Sequence, residues 1–183
     1  ETGDIGGSLV LISTQTASSS STISFTSGID STYKEYIFKF IDIHMATSDA
    51  SFTVNFRDGG SNYDATKTTT FFRAYHNEGG SAQALTYSTS ADLAQSTSAQ
   101  AIITSNGTDN DMSASGTLHL FDPSSTTFVK HFMSDCHVYH KDDYSQRLFV
   151  AGYANVTAAI DGVQFGSSSG NIDAGTIKMY GVS

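Results

Sequence analysis

The sequence predicts an all-β protein, an antiparallel β-sandwich of jelly-roll-like type with about ten strands. Three observations predict it. Fifty of the 183 residues are Ser or Thr, threaded between short runs of Val, Ile, Phe and Tyr. Only 15% of the chain is charged, and one residue is proline. Clusters of Gly, Asn, Asp and Ser interrupt the apolar runs about every 10–15 residues, as turns between strands do. β-branched and aromatic side chains fit a pleated, half-buried surface, and small hydroxyls suit its outward face.

The elements follow in order. Residues 8–16 read as a first strand after Gly6-Gly7, the serine run 18–21 as a turn, and residues 23–26 as the hairpin partner of the first strand. Residues 33–45 carry apolar side chains on both parities, with Tyr36, Phe38 and Phe40 on one and Ile37, Ile41 and Ile43 on the other. That pattern places the strand centrally in a sheet. Residues 51–57 put Phe52, Val54 and Phe56 on one face, and 67–76 follow as the expected hairpin mate after a Gly-rich turn. Leu85 and Tyr87 mark a short strand, 88–95 one helical turn capped by Ser90, and 101–104 an edge strand. Strands are expected at 116–121, 127–133 and 147–153, with a polar connection over 134–146. Residues 159–165 and 176–182 form the expected final pair.

A chain of 183 residues reads as one domain spanning 1–183. A fold of that size buries about 70% of the surface its unfolded chain exposes and needs no staples. The single Cys136 excludes an internal disulfide and any zinc site built on cysteine pairs. Stability is expected from packing and strand pairing.

Nine Lys and Arg stand against 18 Asp and Glu, a net charge of −9, with no basic cluster. Affinity for nucleic acid comes largely from cations that neutralise phosphate, so nucleic acid is not an expected partner, and neither is an anionic membrane. No apolar run approaches the roughly 20 residues of a membrane-spanning helix. No phosphate-binding glycine loop or dinucleotide fingerprint occurs, so no cofactor is expected. Gly-x-Ser-x-Gly is absent, and Glu occurs only at Glu1, Glu35 and Glu78, which leaves little material for paired carboxylates. The expectation is a protein that is not an enzyme.

Two stretches hold metal-ligating residue types. Asp58-Gly-Gly-Ser-Asn-Tyr-Asp64 offers oxygen ligands at Asp58, Asn62 and Asp64, yet it lacks the ordered acidic spacing of a calcium loop and reads as a hairpin turn. His131, Cys136, His137 and His140 lie near Asp135, Asp142 and Asp143, but their spacing is not that of a closed zinc site. No metal is expected. The remaining lead is aromatic. The chain has nine Tyr and no Trp. Tyr63, Tyr139 and Tyr144, with Tyr75 and Tyr87, fall in or near predicted loops, where a phenol ring can stack on a sugar or anchor a protein partner. Tyr63, Tyr139 and Tyr144 are the candidate glycan- or partner-binding residues.

Four stretches carry a resemblance: Ser8-Leu-Val-Leu-Ile-Ser-Thr, Tyr33-Lys-Glu-Tyr-Ile-Phe-Lys-Phe, Phe121-Asp-Pro-Ser-Ser-Thr-Thr-Phe-Val-Lys, and Ser169-Gly-Asn-Ile-Asp-Ala-Gly-Thr-Ile-Lys-Met-Tyr-Gly-Val. Together they resemble a group of virion structural proteins from marine tailed phages, most strongly in the closing Gly-x-Ile-x-x-Tyr-Gly strand. The resemblance implies a particle protein located in the virion, as capsid decoration, fibre or tail component. It implies other virion proteins as partners and carries over no catalytic site. A homo-oligomer, with a trimer as first expectation, would cover exposed strand edges. The alternative expectation is a carbohydrate-binding module or receptor-binding tip that recognises host-surface glycans.

Overall fold

The computed structural model describes residues 8–183, so the expected Gly6-Gly7 opening lies outside the described residues. Twelve strands are described: β1 Leu9–Ser20, β2 Thr22–Phe25, β3 Glu35–Met45, β4 Phe52–Arg57, β5 Lys67–Asn77, β6 Gln83–Tyr87, β7 Gln100–Ile103, β8 Ala114–Phe121, β9 Lys130–His140, β10 Tyr144–Ala154, β11 Gly162–Ser167 and β12 Ile172–Val182. They form two antiparallel sheets. The wide one has eight strands in the order β1-β12-β3-β8-β9-β10-β5-β6, and the narrow one has four in the order β2-β11-β4-β7. The expected all-β sandwich is the observed fold, with no helix among the described residues.

Eight of the strands trace a jelly roll. β1, β12, β3 and β8 are neighbours in the wide sheet, and β2, β11, β4 and β7 make up the narrow one. Two further hairpins, β5–β6 inserted between β4 and β7 and β9–β10 inserted between β8 and β11, both join the wide sheet beyond β8. The wide sheet therefore overhangs the narrow one.

This connectivity corrects three expected pairings. β2 pairs with β11, Ile23 opposite Phe165, and not with β1. β5 pairs with β10 and β6, and not with β4. β11 lies between β2 and β4 while β12 lies between β1 and β3, so the last two strands are not a pair. Alternation identifies a strand, but its partner is fixed by how the whole chain closes a core, and here consecutive strands cross between layers.

Local corrections have local causes. Residues 18–20 stay in β1, because Ser18 and Ser20 are held opposite Ala174 and Ile172 of β12. Residues 88–95 hold one tight turn, with the Ala91 N–H on the Ser88 carbonyl at 3.3 Å, but no helix capped by Ser90; beyond the turn the segment is drawn out by backbone bonds from Thr69 to Leu93 and between Lys67 and Ser96. The polar stretch 134–146 is mostly strand. Ser134, Cys136, Val138 and His140 all point inward from β9, and only 141–143 turn.

The core lies between β3 and the narrow sheet. Phe165 stacks on Phe52 at 5.5 Å and meets Phe38 and Phe40 edge-on at 5.3 and 5.2 Å. Each fully buried ring contributes about 1.5–3 kcal/mol by leaving water. β3 reaches this core on two parities because it carries a bulge. Phe40 and Ile43 face Gly116 and Ala114, three residues spanned against two, with Asp42 at φ 51° between them. The inward set Tyr36, Phe38 and Phe40 thereby continues as Ile43 and Met45. At the far edge, the Ser183 N–H donates to the Ser8 carbonyl at 3.2 Å, which brings the described ends together.

Candidate functional site

The narrow sheet covers the inner face of the overhang only in part, with Phe56 against Phe132 at 4.9 Å, and beside the buried Phe71, Phe132, Leu148 and Val150 some inward positions are polar. The polar ones include Lys67, Thr69, Lys130 and Gln146, all buried. Segment 88–99 roofs the lower half. The Thr69 N–H donates to the Leu93 carbonyl at 2.9 Å, the Leu93 N–H to Thr69 Oγ1 at 2.8 Å, and Gln100 Nε2 to the Ala91 carbonyl at 2.8 Å. The upper half stays open as a cleft of about 360 Å³. Arg73 and Tyr75 of β5, His140 of β9, and Tyr144 and Gln146 of β10 line it, with Asp49 at the rim.

The side chains are mutually braced. Tyr144 meets Tyr75 and His140 edge-on, with ring centroids 5.5 and 5.1 Å apart. The Arg73 guanidinium lies 5.5 Å from the Tyr75 ring centroid, and its Nη1 donates to Gln146 Oε1 at 3.1 Å. Arg73 Nε is buried with no hydrogen-bond partner. His140 Nδ1 accepts the Asp142 N–H at 3.1 Å, which leaves the proton of the neutral ring on Nε2. Burial holds the imidazole below its ordinary range, against the pull of Asp142. Lys141 is raised by its bond to Asp142, 3.0 Å away. The cleft thus offers a guanidinium and two phenol rings at one end of the sandwich. Such a set can hold carboxylate or hydroxyl oxygens and present flat faces to a sugar ring.

Of the sequence-predicted residues, Tyr144 lines this cleft. Tyr139, at the opposite parity, joins Tyr144 in a second groove of about 310 Å³ on the outer face. The Tyr139 hydroxyl donates to Asp143 at 3.3 Å, and desolvation followed by the nearby Glu78 and Asp143 pushes it up to about 12. Tyr63 is not part of either group. Its ring lies 5.8 Å from the Arg57 guanidinium, and Arg57 is held by Asp161 at 2.7 Å. Asp58, Asn62 and Asp64 sit in the connection after β4, and among the described residues no three His, Cys, Asp or Glu are gathered as a metal site. The strand period separates the His and Cys candidates. His137 points outward to Ser145 Oγ at 2.9 Å, whereas Cys136 and His140 point inward. Burial pushes the Cys136 thiol up to about 12, so it is no ready nucleophile.

Sequence reasoning missed Arg73 and Gln146. Their signal was parity: Phe71, Arg73 and Tyr75 alternate, as do Gln146 and Leu148, so a charged and an amide side chain occupy inward positions. No protein-family model matches the chain, and no curated protein matches it.

Proposed function

We propose that this protein is a non-enzymatic structural protein on the exterior of a phage particle, where it packs against other virion subunits and copies of itself. The observation that carries the reading is the outer face of the wide sheet. One continuous row crosses seven strands through Leu11, Tyr180, Ile37, His119, Met133, Ala151 and Thr70. Beside it Phe149 stacks on Phe72 at 4.8 Å, and Tyr87 flanks Phe72. Leu11 and Met133 are 53% and 55% exposed, and a groove of about 340 Å³ runs between Met133, Phe72 and His119. Glu35 beside His119 and Asp135 paired with Arg147 interrupt the apolar side chains, and a mixed face of this kind, with large exposed apolar residues among paired charges, suits association. The sequence resemblance to virion proteins points the same way, as does a surface built of hydroxyls. Charge on such a surface would be screened within about 3–4 Å in seawater.

The test is light scattering on the purified protein, together with labelled electron microscopy of particles. The expected result is an oligomer, a trimer first, that Met133→Lys shifts toward monomer, and label on the particle exterior. A strict monomer that binds no particle would remove the reading.

The second reading is glycan recognition, and the braced Arg73–Tyr75–Tyr144 cleft favours it. Jelly rolls serve both capsid and lectin domains, so the fold does not choose between the two. Binding on a glycan array that Tyr144→Ala and Arg73→Ala both abolish is the expected outcome of this reading. Binding unchanged in both variants would sink it.

A further inference from the structure

Six residues along β5 from Arg73, a different pair of side chains meets between the two sheets. Lys67 has no exposed surface, and Asn55 of β4 is 8% exposed. Lys67 Nζ lies 2.5 Å from Asn55 Oδ1 and 2.7 Å from the Ala65 carbonyl. Neither partner is a carboxylate. A buried ammonium held only by neutral groups is costly, and amines in that position shed their proton readily. Burial pulls Lys67 down to about 8, with Asp64 and then Asp58 opposing through their charge.

The surroundings fix both groups. Lys67 pairs with Ala154 on one side, and its backbone exchanges bonds of 2.8 and 3.0 Å with Ser96 on the other. Asn55 Oδ1 also accepts the Phe56 N–H at 3.0 Å, and Asn55 Nδ2 donates to the Thr97 carbonyl at 3.0 Å. An amine resting on the oxygen of a primary amide, and a backbone donor on that same oxygen, are therefore assembled in a water-poor site, with the amide carbon one bond away.

We propose that Lys67 and Asn55 join spontaneously in an intramolecular amide bond. The neutral Lys67 Nζ attacks Asn55 Cγ and forms the new C–N bond. The charge that develops on Oδ1 is met by the Phe56 N–H. A proton passes from Nζ to Nδ2, the Cγ–Nδ2 bond breaks, and ammonia leaves. Amine and primary amide become secondary amide and ammonia, with no oxidant or co-reactant. The product buries no charge, and its N–H retains the Ala65 carbonyl as acceptor. The bond ties β4 of the narrow sheet to β5 of the wide one. It does not depend on either functional reading above.

Intact-mass spectrometry of the purified chain after incubation in mildly alkaline buffer decides the matter. The expected mass is about 17 Da below that required by the sequence, the mass of one ammonia lost as the amine displaces it. A tryptic digest should then yield one branched peptide joining the Asn55 and Lys67 segments. Asn55→Ala and Lys67→Arg should each restore the full mass. A wild-type chain that keeps its full mass would overturn the proposal without reference to any variant. So would a deficit that persists in Asn55→Ala, since ring closure at Asn106-Gly107 also releases ammonia.

Discussion

At the scale of single residues, the informative side chains are polar ones at inward positions. His140 is the clearest. Its residue type drew attention in the sequence, but as a metal candidate; only the strand parity turned it into the cleft, away from His137. Arg73 shares its parity with Phe71 and Tyr75, but which face that parity presents is not legible without the strand's partners. The burial of His140 has a consequence with a definite sign. Its folded value lies below the ordinary 6.5, so the folded state holds fewer protons than the unfolded chain as pH falls through that range. Its contribution to stability is full above pH 6.5 and is lost as the pH drops below it. Urea unfolding at pH 7 and pH 5 should show a drop that is smaller in His140→Asn than in wild type. Cys136 gives a second check. With a buried thiol raised to about 12, native protein should react with a thiol reagent only on unfolding, and labelling of the folded protein at pH 8 would contradict the structure.

At the scale of elements, strands were legible and partners were not. The alternation of Phe52, Val54 and Phe56 identified β4, and the double parity of 33–45 identified a central strand. Of the second apolar parity on β3, only Ile43 joins the core, because the core face changes parity at the bulge; Ile37 and Ile41 face outward. No periodicity marks that switch; it shows only when Phe40 and Ile43 are seen against Gly116 and Ala114. Across the bulge, Gly175 of β12 has φ 125°, and a Cβ there would lie 2.8 Å from the Asp42 carbonyl oxygen and 2.9 Å from Ile43 Cα. Gly175→Ala should lower stability by about 1–3 kcal/mol through crowding and backbone strain. Asp42→Gly, at φ 51°, should be neutral or stabilise by up to about 1 kcal/mol. Chemical denaturation of both variants checks the pair, and equal losses would mean the bulge is not what constrains them.

At the scale of the whole molecule, composition announced the β-sandwich, because a hydroxyl-rich, low-charge chain with regular turns has few other ways to bury its Phe, Ile and Val. The overhang was not announced. It follows from two hairpins joining the same edge of one sheet, a long-range event that leaves no local pattern. The cleft results from it, as does the part of the outer face that carries Met133, Phe149 and Phe72. The meeting of the described ends at Ser8 and Ser183 has a different outcome, for the order in which the fold is written is arbitrary. A permutant of residues 8–183, closed by a short glycine linker and reopened between the exposed Gly59 and Gly60, should fold with its melting transition intact. With both described ends on one corner, residues 8–183 can sit as a cassette inside a loop of another protein without being stretched.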